Sequence, residues 1–346
     1  MSKPPLTYRD AGVDIAAADA FAATIRSLSR ATHGVEVKPS GDAYAGLFRP
    51  PLAGMKAPLL AATCDGVGTK IIVARECRRY RGLGQDLVAM NVNDLLPRGA
   101  RPLFFLDYIA VGAIAGMPLT ELAEGIAHAC AAVGCALLGG ETAEMPEVYK
   151  KGDCDLAGFA VGIVDQDNVP DENVSPGDVV LGLPSSGIHA NGLSLARRAL
   201  LQAGVEYTQH FPELGQSIGD ELLVPTRLYV QPVLALMQAA RIKAAAHITG
   251  GGLLGRLRKL GGAAHRVCID PDSYVRPPIF PLIARLGGVP VQEMASTFNM
   301  GLGFVAVVSA EDAAAWMQRG EAAGQWRVVG RIEAGKAGVE LGYAAS

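Results

Sequence analysis

Strands and helices intermixed in both halves of the chain, without strict strand-helix alternation and without a G-x-G-x-x-G turn, predict an α+β fold. Length predicts more than one domain, since 346 residues exceed the roughly 250 beyond which a single core stops growing economically. A third observation places the division. The acidic, proline-bearing stretch DQDNVPDENVSPGD at 165–178 ends the first series of strands, giving domains of 1–168 and 169–346.

Taken in order, Ile15, Phe21, Ile25 and Leu28 recur at helical spacing and make a weak amphipathic helix near the start. Solid or alternating apolar runs predict strands at 58–62, 87–92, 103–111, 136–138 and 156–164. Between them, Leu119, Leu122, Ala123, Ile126, Ala127, Cys130 and Val133 recur at three and four after Pro118, which predicts one buried helix stripe. In the second half VVLGL predicts a strand and NGLSLARRALLQAG a helix capped by Asn191 and stopped at Gly204. TRLYVQPVLALMQAA predicts a helix opened by Thr226 and kinked at Pro232, and further strands are expected at 266–269, 303–308 and 326–332.

Composition excludes several functions. The longest charge-free stretch, 179–196, carries Pro184, Ser185, Ser186, His189 and Asn191, which a spanning helix of roughly 20 residues would not. The N-terminal MSKPPLTYRD has no apolar core of an export signal, so a soluble, cytoplasmic protein is expected, with no membrane partner. A net charge of −3 without a basic run leaves no electrostatic footprint for nucleic acid, so an anionic ligand must be neutralised locally. The six cysteines lack C-x-x-C spacing, and most read as small buried hydrophobes. Cys64 precedes Asp65, and an adjacent carboxylate raises a thiol pKa, which argues against a nucleophile there.

Four polar segments fall where the strand and helix patterns break off. AATCDGVGTK (61–70) nearly forms a phosphate loop, but Gly68 is followed by Thr69 and Lys70, and Thr63 stands where a Walker loop needs glycine. NVNDLLPRGARP carries Asp94, GGETAEMPEVY carries Glu141 and Glu144 behind two glycines, and SSGIHANG places His189 and Asn191 at a helix mouth. Each has a bland reading as turn or cap, or in the case of His189 as a satisfied histidine in a glycine turn. Together, several carboxylates beside glycine turns suit Mg2+ held by one or two carboxylates plus substrate phosphates, and ATP is the natural ligand. Gly250, Gly251 and Gly252 before a helix at 253–260, with Arg256 and Arg258 following, suit a phosphate as well, although three glycines also make a plain loop.

Asp94 to Pro102 resembles the D-x4-G-A-x-P motif of the ATP-dependent superfamily that includes aminoimidazole ribonucleotide synthetase, the phosphoribosylformylglycinamidine cyclo-ligase. YRDAGVDI, CDGVGTK, GQDLVAMNVNDLLPRGARPLFFLDYIAVG, LLGGETAEMP, SSGIHANGLSLAR, PTRLYV, HITGGGL and TFNMGLGF follow in that family's order from Tyr8 to beyond Gly303. The resemblance implies an N-terminal domain that contributes strands to a dimer-forming barrel and binds ATP near the interface. It further implies a C-terminal mixed sheet with packed helices. The implied reaction closes formylglycinamidine ribonucleotide to aminoimidazole ribonucleotide with release of ADP and phosphate. Asp65, Asp94 and Glu141 would hold Mg2+ and phosphates, Gly66, Gly68, Thr69 and Lys70 would line the triphosphate, and His189 and Asn191 belong to a motif used at the active site. On this reading His189, Asp94 and Lys70 serve catalysis, with His189 moving a proton because imidazole titrates near neutrality. Gly250, Gly251 and Asn191 complete the nucleotide contacts.

Two segments depart from the family pattern. PSGDAYAGLF stands in place of a Gly-Gly-Phe-Gly-like run, and Leu254-Gly255-Arg256-Leu257-Arg258 in place of Glu-Asn-Ile-Pro-Arg. Rival readings are a small-molecule kinase such as thiamine monophosphate kinase, which lacks HITGGGL and TFNMG, and a nucleotide-binding subunit without catalysis. Selenophosphate synthetase is disfavoured because 40–47 holds no cysteine.

Overall fold

The computed structural model describes residues 5–8, 10–39 and 45–342, so Asp42, Ala43 and Tyr44 of the first divergent segment lie outside the described residues. The first half runs α1 (Ile15–Arg30), β1 (Val37–Lys38), β2 (Leu47–Phe48), β3 (Pro58–Gly66), α2 (Lys70–Cys77), α3 (Arg81–Leu95), β4 (Arg101–Val111), α4 (Leu119–Ala132), β5 (Ala136–Glu144) and β6 (Cys154–Asp165). The second half runs β7 (Val179–Pro184), α5 (Leu193–Gln202), β8 (His210–Phe211), β9 (Gln216–Ser217), α6 (Ile218–Leu222), α7 (Val230–Met237), β10 (Ala244–His247) and α8 (Gly252–Leu260). It continues with β11 (His265–Ile269), α9 (Ile279–Gly287), α10 (Val291–Thr297), β12 (Leu302–Val308), α11 (Ala310–Met317), β13 (Arg327–Ala334) and β14 (Gly338–Leu341).

This is the α+β architecture expected. A four-stranded sheet in the order β3-β6-β4-β5 carries α3 and α4 on one face, and β4 and β5 pair in parallel across the α4 crossover. The other face leaves Leu60, Tyr108 and Phe159 exposed. The second half is built on a six-stranded mixed sheet, β10-β12-β7-β13-β11-β14, in which only β11 and β14 run parallel. Helices α5 with α9, and α8 with α10, pack on one another over a core that includes Phe280, Phe298 and Leu253. Among the described residues no helix is long and apolar enough to cross a membrane.

Three expectations change. Residues 87–92 are helical: α3 packs on β3, β6 and α4, so it is buried almost all round and its solid apolar run at 87–90 reads like a buried strand. Its approach to α4 needs Gly84 and Gly125, since a Cβ at Gly125 would collide with the Arg81 carbonyl. Helix α7 starts at Val230 instead of Thr226, which puts Pro232 in the first turn, where its missing N–H costs no hydrogen bond. Asn191 does not cap α5. Gly192 stands at that position with φ 81°, and no side chain accepts from the first turn.

Candidate active site

The site lies where α3 of the first half meets β10 and α8 of the second. At the end of β3, the Asn91 side chain holds the backbone on both sides of Asp65, accepting from its N–H at 3.0 Å and donating to its carbonyl at 3.2 Å. The Asp65 carboxylate accepts from the Gly66 N–H at 2.7 Å. Partial burial lifts the Asp65 carboxyl above its ordinary value; the charge of Asp94 adds to the rise, while the Gly66 hydrogen bond, His247 and Arg256 oppose it. Four side chains from separate elements thus share one electrostatic neighbourhood. His247 donates from Nδ1 to Asp94 Oδ1 at 2.7 Å, joining β10 to α3 across the two halves. Asn93 Nδ2 stands 3.4 Å from His247 Nε2, which assigns that nitrogen as the acceptor. Arg256 hydrogen-bonds Thr249 Oγ1 beside the three glycines.

The turn after β3 divides its residues. Gly66 must be glycine because a Cβ would meet the Leu156 carbonyl at 2.7 Å, and Gly68 takes φ 54°. Thr69 opens α2 and meets Ser194 of α5, hydroxyl to hydroxyl, at 3.0 Å. Asn191 Oδ1 lies near Gly250, while Gly251 and Gly252 take φ 89° and 61° at the uncapped start of α8, leaving that helix's first N–H groups without a side-chain cap.

Lys70 requires a correction. Its side chain is 0% exposed, with Nζ 3.0 Å and 2.9 Å from the two carboxylate oxygens of Asp86 and 2.7 Å from the Val224 carbonyl. Burial lowers its pKa against the opposing charge of Asp86. Thr226 donates to the same Asp86 oxygen from both its N–H (2.7 Å) and its hydroxyl (2.6 Å). Gln85 and Asn93 add bonds to the carbonyls of Thr226 and Arg227, and the Tyr229 N–H donates to Asn93. The ammonium that the sequence assigned to a triphosphate is spent on fastening 224–229 to α3.

His189 is corrected as well. It takes φ 64° and is 1% exposed, its Nε2 accepts from the Ser186 N–H at 3.2 Å, and its Nδ1 is buried without a partner. Burial pushes its imidazole well below the usual range, and His247, Lys70 and Arg227 push the same way. Titration near neutrality therefore gives no support for proton transfer by this ring. It packs 6.1 Å from Tyr229 and 6.5 Å from His247. That cluster requires glycine at 303, where a Cβ would collide with the Tyr229 hydroxyl.

Glu141 stands apart from the other two carboxylates. It is exposed on β5, three strands from β3, which at roughly 4.8 Å per strand sets its backbone about 14 Å from that of Asp65. No three metal-ligating side chains gather in one place among the described residues. Glu144 is structural, accepting at 2.7 Å from both the Asp14 and Ile114 N–H groups. His247, Asn91 and Asp86 carry the geometry without having been singled out in the sequence. The available signal for His247 was its place three residues before Gly250.

The fold is that of an α+β protein of the AIR synthase type. Residues 51–164 match the N-terminal domain, and 175–341 the C-terminal domain, of the AIR synthase related proteins, and the chain belongs to that family. It is 48% identical over 333 residues to the phosphoribosylformylglycinamidine cyclo-ligase of Myxococcus xanthus, covering 95% of this chain and 96% of that one. It is 46% identical over 311 residues to the human trifunctional purine biosynthetic protein adenosine-3, covering 88% of this chain and 31% of that one. In fold it is similar to a thiamine-monophosphate kinase from Stenotrophomonas maltophilia, with TM-score 0.66 at 20% identity over 93% and 95% of the chains. It is also similar to the hydrogenase maturation protein HypE in complex with ATP, with TM-score 0.63 at 18% identity over 91% and 89%.

Proposed function

We infer that this chain is a phosphoribosylformylglycinamidine cyclo-ligase, closing formylglycinamidine ribonucleotide to 5-aminoimidazole ribonucleotide with ATP. Near-full-length identity to cyclo-ligases supports the reading. The observation that carries it in the molecule is the convergence of Asp65, Asp94, His247 and Arg256 at the junction of the two halves. A formamide oxygen is a poor leaving group. In the reaction that oxygen attacks the γ-phosphorus, the bond to the β-phosphate oxygen breaks, and ADP departs. The amidine nitrogen of the same molecule then attacks the formyl carbon, phosphate leaves with the original oxygen, and the nitrogen loses its proton. Ring closure is intramolecular, so positioning is the protein's main task.

Two neighbouring carboxylates whose charges oppose one another fit one Mg2+, a cation satisfied by one or two carboxylates plus phosphates, and Asp65 and Asp94 would hold it. The ion would neutralise charge on the transferred phosphoryl group. His247 fixes one oxygen of Asp94 and leaves the other to the ligand. Gly66, Gly68, Thr69, Gly250, Gly251 and Asn191 would supply close backbone approach and polar contacts, and Glu141 is left out of the ion's ligands. Lys70 and His189 shape the site from behind.

The same reading takes 1–168 as the ATP-binding half, 169–346 as the half that completes the site, and the cytoplasm as the location. It places a homodimer interface on the apolar outer face of the four-stranded sheet around Leu60, Tyr108 and Phe159. The deciding assay supplies substrate with a labelled formyl oxygen. A cyclo-ligase delivers the label to released phosphate, a kinase leaves it on the product, and a protein without catalysis releases none.

A further inference from the structure

We propose that Asn91 is a positioning residue that sets Asp65 against Asp94 firmly enough to favour Mg2+ over larger divalent cations; this rests on the reading that those two carboxylates hold the ion. Asn91 and Asp94 lie three residues apart on α3, on one side of the helix. Asp94 is therefore carried by α3 directly, and Asp65, at the end of β3, is carried by it through the Asn91 amide. One buried helix is the reference for both carboxylates.

The amide is fully engaged. Its Oδ1 accepts from the Asp65 N–H at 3.0 Å, and its Nδ2 donates to the carbonyls of Asp65 at 3.2 Å and Leu87 at 2.9 Å. Two carbonyls at one end and an N–H at the other admit a single orientation of the amide. Thr63 of β3 donates from its hydroxyl to the Asn91 backbone carbonyl at 3.1 Å, a further tie between strand and helix. The Asn91 side chain is buried against β6, where a Cβ at Gly158 would meet both its Nδ2 and the Phe105 ring at 2.5 Å. Gly158 is the residue that pairs with Asp65, so the pocket that fixes the amide also backs the strand that carries the carboxylate.

Among the described residues β3 is an edge strand with β6 as its one neighbour, and it runs into a turn containing Gly66 and Gly68, where the backbone is loosest. Water satisfies free backbone groups along an exposed strand edge, so a buried amide is not needed merely to pair them. What the amide adds is a fixed spacing. The charges of Asp65 and Asp94 oppose one another, and the bonds to Asn91 resist their drifting apart. Mg2+ takes near-ideal octahedral geometry at roughly 2.0–2.1 Å, whereas Ca2+ accepts looser arrangements at roughly 2.3–2.6 Å. A fixed spacing therefore discriminates between them.

The test is calorimetry of ATP binding with Mg2+, with Ca2+ and with neither, on the unsubstituted protein, Asp65→Asn/Asp94→Asn and Asn91→Leu, a change that keeps volume and removes the amide. In the unsubstituted protein Mg2+ should tighten ATP binding more than Ca2+ does. Asn91→Leu should lose about tenfold of the Mg2+ gain, with metal-free ATP binding and the Ca2+ gain within about twofold, so the preference between the cations falls. Urea unfolding is followed alongside: a lowered midpoint with the ratio of the two gains unchanged would make Asn91 a packing residue and overturn the assignment. Should the leucine variant not fold, Asn91→Ser, whose hydroxyl cannot reach both backbone groups of Asp65, decides by the same ratio. A Mg2+ gain abolished in the double aspartate variant but kept in full after substitution of Asn91 would overturn the assignment and leave the metal reading standing. No Mg2+ gain in the unsubstituted protein would overturn both.

Discussion

Asp65 and Lys70 lie five residues apart in one turn and do opposite work. Asp65 stands at the rim, close to Asp94 and Arg256, with its carboxyl lifted by partial burial and a neighbouring negative charge. Lys70 turns inward, where Asp86 and the Val224 carbonyl hold its ammonium away from solvent. A motif that reads as one phosphate corner is therefore split into a half at the rim and a fastening half. The rim is partly open, whereas the fastening ties the two halves together through the bonds of Lys70 to Asp86 and the Val224 carbonyl and of Thr226 to Asp86.

The largest expected effect breaks the fastening. Lys70→Met strands the Asp86 carboxylate in the interior and should destabilise the fold by about 3–5 kcal/mol, read by urea unfolding. Loss of turnover with the midpoint unchanged would instead return Lys70 to the ligand side. On the rim the pattern reverses: Asp94→Asn should cost at least about 100-fold in kcat/KM while the melting temperature moves by only a few degrees.

Asp107 sharpens the contrast, since it is buried like Lys70 but neither of its carboxylate oxygens has a partner. Burial pushes its carboxyl up to about 7, with Glu141 adding to the rise. The folded protein then keeps a proton that the unfolded chain gives up above about pH 4, so the destabilisation is absent below that pH, grows through neutrality and levels off beyond it. Asp107→Asn should gain on the order of 2 kcal/mol more relative to the unsubstituted protein near pH 8 than near pH 5, followed by thermal melts at both. An equal change at both pH values would show the group ionised throughout. The smallest effect belongs to the surface: Arg241→Ala, which removes an exposed pair with Asp171, should shift stability by under about 1 kcal/mol in the same urea assay.

Local pattern was enough for the mixed strand and helix content, most strands and α4, because each has a clear period in the sequence. It failed for α3, whose burial on every side erases the helical stripe, and for Thr226, which resembles a helix cap but donates to Asp86 instead. Asp65, Asp94, Asn191 and Gly250 were singled out because carboxylates and amides recur beside glycine turns in several separate segments, and the fold brings Asp65 near Asp94 and Asn191 near Gly250. Lys70 was misplaced because direction is not written in a motif: helix α2 begins at that residue, and its first turn carries the side chain toward the interior. His247 needed the fold, which brings it within 2.7 Å of a residue 153 positions earlier.

The most direct test of the division between rim and fastening is a calorimetric titration of ATP with and without Mg2+, on the unsubstituted protein and on Asp65→Asn/Asp94→Asn. The unsubstituted protein should bind ATP at least about tenfold more tightly when Mg2+ is present, and the double variant should show no such gain. Equal tightening by Mg2+ in both proteins would contradict it.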